Sequence, residues 1–128
     1  MAGYAVHTAL NAYDGFRILG AHEIDVLVTN IRMPVMDGLK MAELVRLEFP
    51  AVAVIICTAY GVHDCCVRAA EVGCSDVEFK PFKIPYLTAS VANAVRLGPG
   101  WKSEVVRALL AGAGAEGVRE LMARRRGE

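Results

Sequence analysis

The sequence predicts an α/β fold in which a parallel sheet carries helices on both faces. Two observations lead there: short continuous apolar runs alternate with stretches of helical periodicity, and the composition supplies a core. Of 128 residues, 55% are hydrophobic and 22% charged, too apolar for a disordered tail and ordinary for a packed domain. Tyr4-Ala5-Val6-His7-Thr8 is mixed enough for a half-exposed or edge strand, and Asn11 to Ala21 sets Phe16, Ile18 and Leu19 on one side of a helix. Asp25-Val26-Leu27-Val28-Thr29 and Val52-Ala53-Val54-Ile55-Ile56-Cys57 read as parallel strands covered on both faces. Between them, Leu39 to Phe49 repeats Met41, Leu44, Val45 and Leu47 at helical spacing. Val62 to Val72 repeats the pattern with Val62, Cys66, Ala69 and Ala70, and Gly73 stands where a helix C-terminal glycine belongs. Val77-Glu78-Phe79 is a weaker strand and Pro85 to Leu97 a fourth helix. Right-handed crossovers turn this β-α repeat into one parallel sheet.

Gly98-Pro99-Gly100 breaks the chain before two more helical stretches, Trp101 to Ala111 and Val118 to Arg126. Charge divides at the same place. Residues 1–97 hold 8 basic and 10 acidic side chains, net −2, while 98–128 hold 6 and 4, net +2. The expected organisation is therefore a main domain over 1–97 and a helical extension over 98–128. Overall neutrality leaves no long-range field toward a polyanion. The longest apolar run, Ala51 to Cys57, falls far short of a membrane span, and Met1-Ala2-Gly3-Tyr4 lacks a basic start and apolar stretch. A soluble, cytoplasmic chain is expected.

Cys57, Cys65, Cys66 and Cys74 share one segment with His63. Their spacing is not that of paired zinc knuckles, and adjacent residues point about 100° apart on a helix, so reduced core cysteines are expected.

Functional atoms in such sheets lie beyond the C-terminal ends of the strands. Asn30, Thr58 and Lys80 occupy three such ends, an amide, a hydroxyl and an ammonium suited to a compact anion. Asn30-Ile31-Arg32-Met33-Pro34-Val35-Met36-Asp37-Gly38 resembles the phosphoacceptor loop of response-regulator receiver domains. Cys57-Thr58-Ala59-Tyr60-Gly61 is similar to their switch-hydroxyl segment, and Gly73-Cys74-Ser75-Asp76 leading to Lys80-Pro81-Phe82 to their last strand with its lysine. The likeness runs in register from about Met1 to Leu97 and implies a flavodoxin-like, receiver-type sheet.

Receivers accept a phosphoryl group from a histidine kinase on an aspartate held near Mg²⁺. The resemblance assigns Thr58 to the switch hydroxyl and Lys80 to the phosphate-pairing ammonium, and implies a cis Lys80-Pro81 peptide. Asp37 is expected to cap the helix that starts near Leu39.

Three departures set the functional expectation. The acceptor position is Asn30, whose neutral amide is no nucleophile for an acyl phosphate. The chain begins where a receiver's first helix ends, so the first strand, its acidic pair and most of that helix are missing, and no bound Mg²⁺ is expected. The rotating aromatic three residues before the lysine is Val77. A sheet without its first strand leaves the Asp25–Thr29 edge without a ladder partner. Direct pairing of Tyr4–Thr8, a second copy of the chain, or the C-terminal helices folding back are the ways to cover it, and a swapped or edge-paired homodimer is favoured.

The reading is thus a degenerate, non-enzymatic receiver-like module of two-component signalling, an interaction or dimerisation unit with no membrane partner. The same residues also fit a fragment of a longer receiver, from a misassigned start or gene decay. Two further readings rank below these: nucleic-acid binding through Arg124-Arg125-Arg126, which more simply form a solvated helix end, and a thiol catalyst using Cys57 or Cys65 with His63 and Lys80.

Overall fold

The computed structural model describes residues 3–59 and 63–125. Its elements run α1 (Ala12–Ala21), β1 (Val26–Asn30), α2 (Gly38–Glu48), β2 (Ala53–Ala59), α3 (His63–Glu71), β3 (Asp76–Lys80), α4 (Ile84–Leu97), α5 (Glu104–Leu110) and α6 (Ala115–Arg125). The strands form a parallel sheet in the order β1-β2-β3, with Val26 opposite Ala53 and Ile55 opposite Asp76. The apolar runs thus became strands as expected, and β3 is longer than its apolar core suggested.

Alternation across β2 assigns the two faces. Val54 and Ile56 join the larger core with Met41, Val45, Cys66 and Val77, whereas Ala53 and Ile55 face Val91 and Ala94 of α4. Helix ends are set by identifiable side chains. Asn11 accepts a hydrogen bond from the Asp14 amide at 2.9 Å, and Asp37 accepts one from the Lys40 amide at 2.8 Å, the cap foreseen for α2. After α3 the Gly73 amide donates to the Ala70 carbonyl and the Cys74 amide to that of Ala69, with Gly73 at φ +100°. That pairing is a Schellman close, and the positive φ is what glycine supplies.

Two expectations about the ends need correction. Tyr4–Thr8 is not a strand: it runs as irregular backbone facing β1 across a cavity of about 580 Å³. A strand needs a ladder, and the segment has no hydrogen-bonded neighbour in the sheet. The C-terminal helices do not cover the β1 edge either. They fold over the opposite side of the sheet, α5 packing on α3 and β3 and α6 on α5. Val105, Val106, Leu109, Val118 and Met122 are buried in the same core as the sheet, so the residues beyond Gly98 share its interior. Trp101 precedes α5, whose N-cap is Ser103, accepting from the Val106 amide at 3.1 Å. α6 starts about a turn earlier than expected. Of the expected elements, Val62 and Arg126 lie outside the described residues.

Candidate functional site

The three polar strand ends do come side by side. Register places Asn30 opposite Cys57, Thr58 opposite Phe79 and Ala59 opposite Lys80, so β1, β2 and β3 each deliver one of Asn30, Thr58 and Lys80 to the same rim of the sheet. Asn30 and Lys80 are exposed there while Thr58 is buried. Tyr60 and Gly61, from the switch-hydroxyl segment, lie outside the described residues.

The loop after β1 is folded tightly back on its strand. The Gly38 amide donates to the Ile31 carbonyl at 2.6 Å, and a Cβ at Gly38 would collide with the Asn30 carbonyl oxygen and stand 2.8 Å from its carbon. Only glycine lets α2 start that close to the strand end. Thr29 Oγ1 donates to Met33 Sδ at 3.1 Å, tying the loop's first half to β1, while Met33 also packs against the core. Arg32 and Pro34 are exposed, and Val35 sits at φ +75°, a strained conformation for a β-branched residue. Beyond β3 the Lys80-Pro81 peptide is cis, with Pro81 exposed and Phe82 half-buried. Val77, at the switch-aromatic position, is fully buried.

The donor set at this rim is an amide, a hydroxyl and an ammonium. The nearby loop carboxylate, Asp37, is committed to the α2 cap. Cys57 is no nucleophile in waiting, since burial, with Glu78 beside it, pushes its thiol up to about 11 against the opposing pull of Lys80. Burial likewise raises Cys66 to about 11 and Cys74 to about 12, and all four cysteines are free. Cys65 is half-buried on α3; His63 opens that helix, and its side chain lies outside the described residues.

A second polar cluster was not anticipated. Asp76 and Glu78 alternate onto the α4 side of β3, both essentially fully buried. Ser90 Oγ donates to Asp76 Oδ2 at 2.6 Å. From α6, Arg125 Nη2 donates to Asp76 Oδ2 at 2.8 Å and to Glu78 Oε1 at 2.7 Å. Arg125 is therefore not the solvated helix end expected of Arg124-Arg125-Arg126: two buried anions demand a cation, and it is half-buried in supplying one. Arg126 lies outside the described residues. Glu78 Oε2 has no partner among the described residues. Burial, and then the Asp76 charge, lift the Glu78 carboxyl to about 7 despite Arg125. Lys102 makes a further staple, donating to the Gly73 and Cys74 carbonyls at 2.8 and 3.1 Å just past the end of α3.

Sheet, rim and loop together define a class, the receiver module of bacterial-type signalling proteins, and the comparisons agree. Residues 1–92 match the response regulator receiver domain family, and the chain belongs to it. It is 36% identical over 94 residues to the DNA-binding transcriptional regulator NtrC of Escherichia coli K12, covering 73% of this chain and 20% of that protein. Over 85 residues it is also 36% identical to NtrC of Proteus hauseri, covering 66% of this chain and 18% of the relative. The chain thus spans about a fifth of the length of these curated relatives. Among solved structures, a response regulator receiver domain protein from Clostridium thermocellum superposes with a TM-score of 0.69 at 30% identity, covering 74% of this chain and 77% of that one. No helix among the described residues is long and apolar enough to cross a membrane.

Proposed function

We propose that this chain is a phosphorylation-independent receiver: a non-enzymatic, cytoplasmic module of two-component signalling that works by binding another signalling protein or a second copy of itself. The observation that carries the reading is Asn30 at the C-terminal end of β1, beside Thr58 and Lys80. A carboxamide has no anionic oxygen to attack a phosphoryl group. Among the described residues, the rim offers an amide, a hydroxyl and an ammonium, a set that does not fit Mg²⁺, which is held through carboxylates. What persists is the scaffold, which presents surfaces without a chemical trigger.

Incubation with acetyl phosphate and Mg²⁺, read by intact-mass spectrometry, is expected to leave the mass unchanged. An Asn30→Asp variant is expected to stay unmodified too, since the single new carboxylate gains no second one from Thr58 or Lys80. A stable, Mg²⁺-dependent gain of one phosphoryl group on the wild type would overturn the reading.

A further inference from the structure

We infer that α6 is a proton-controlled cover: it stays on the β3 side of the sheet while Glu78 is protonated and lifts from it, swinging about Gly112–Gly114, as Glu78 ionises. The two C-terminal helices are held by different means. α5 is pinned by backbone and core: the Ser103 amide donates to the Ser75 carbonyl at 2.8 Å, Lys102 staples the stretch before it, and Val105, Val106 and Leu109 are buried. α6, with eleven residues, buries Val118 and Met122, contains the helix-weakening Gly117, and packs mainly on α5. At the joint between the helices Gly112 sits at φ +92° and Gly114 follows, a connection able to absorb a swing. What ties the far end of α6 to the sheet is Arg125, 2.8 Å from Asp76 Oδ2 and 2.7 Å from Glu78 Oε1.

That tie is one charge short. Two carboxylates meet a single guanidinium, and Glu78 Oε2 has no partner among the described residues. The ionisable groups facing Glu78 are Asp76 on its own strand, Cys57 opposite it on β2 and Arg125 from α6. Glu104 of α5 acts on Arg125, Lys80 acts on Cys57, and α4 contributes the neutral Ser90, bound to Asp76. Protonating Glu78 balances the buried set, and ionising it leaves an excess negative charge in a dry place. Lifting α6 relieves that excess by admitting water. Arg125, 25% exposed, stands at the wall of a cavity of about 320 Å³ that Asn93 of α4, Trp101 and Leu121 also line, so one guanidinium separates Glu78 from solvent. Burial raises the Glu78 carboxyl more than Arg125 lowers it, so wetting returns it toward 4.5 even though the guanidinium leaves. The docked helix therefore holds more protons than the lifted one. It is held fully below about 4.5 and loosens as pH rises toward 7. Once lifted, it uncovers Asp76, Glu78 and the seats of Val118 and Met122.

The test is native-state hydrogen exchange on the full chain, read as protection factors in low urea from pH 5 to 8. Amides of α6 between Val118 and Met122 are expected to exchange through a local opening nearly indifferent to urea, and those of β2 through a larger, urea-sensitive one. Protection in α6 is expected to fall by up to about tenfold per pH unit on the way to pH 7, the slope of one proton, and then to level off. Glu78→Gln, neutral and of the same shape, is expected to keep α6 protected across the range. Amides of α6 that share the urea dependence of β2 at every pH make the helix part of the global unit and overturn the inference. So does α6 protection that is flat between pH 5 and 7, or a fall that persists in Glu78→Gln. The urea and pH readings need no variant, so the wild type decides even if the glutamine chain does not fold.

Discussion

The two edges of the sheet end in opposite ways. At β3 the chain spends two helices, a lysine staple and an arginine bridging two buried carboxylates to seal the side. At β1 it leaves a cavity, with Val28 39% exposed beside it and Val95, on α4, 42%. Among the described residues, burial and charge pairing are concentrated at the β3 side, and unpaired strand backbone with bare apolar surface at the β1 side. The lesson is that stabilising contacts are segregated by edge, so substitutions on the two sides should differ in kind.

Breaking the sealed edge gives the largest effect. Arg125→Ala strands two buried carboxylates and is expected to cost about 3 kcal/mol in urea unfolding, in the range seen when one partner of a buried pair is removed. Arg124→Ala, one residue earlier, serves as the control and should cost little. Next comes Val106→Ala, which opens a cavity at a fully buried site of α5 and is expected to cost about 2 kcal/mol. The Glu78 carboxyl tests the same edge through pH. Its folded value, about 7, lies above the ordinary 4.5, so its contribution to stability is complete below about 4.5 and is lost as pH rises toward 7. Denaturation midpoints should fall across that window and level off above it, and Glu78→Gln should remove that slope. The smallest effect belongs to the open edge. Val28→Ala is expected to change stability by less than about 0.5 kcal/mol, because its side chain is already partly in water; a loss as large as that at Val106 would erase the contrast.

The strands and most helices were legible because their signals are local. β-branched runs gave β1 and β2, Asp37 marked the start of α2, and Gly73 the end of α3. The strand-end trio was legible for the same reason, since parallel strands place their C-terminal residues on one rim. Tyr4–Thr8 misled because strandness is a relation between segments, and five suitable residues do not make a ladder alone. Arg125 was missed for a related reason: its partners are 47 and 49 residues away in sequence, and an arginine triplet looks like surface. One clue was present. Asp76 and Glu78 flank Val77 in a strand whose neighbours are apolar, and two acids on one inward face call for a cation from elsewhere.

That separation has a kinetic side. Asp76 is synthesised 49 residues before Arg125, which at roughly 5–20 residues per second is a gap of roughly 2–10 s on the ribosome. Until the arginine arrives, β3 can take its place only by burying carboxylates without their cation. The nascent sheet is therefore expected to wait for its last strand, and β1 and β2 to pair while β3 is still in water.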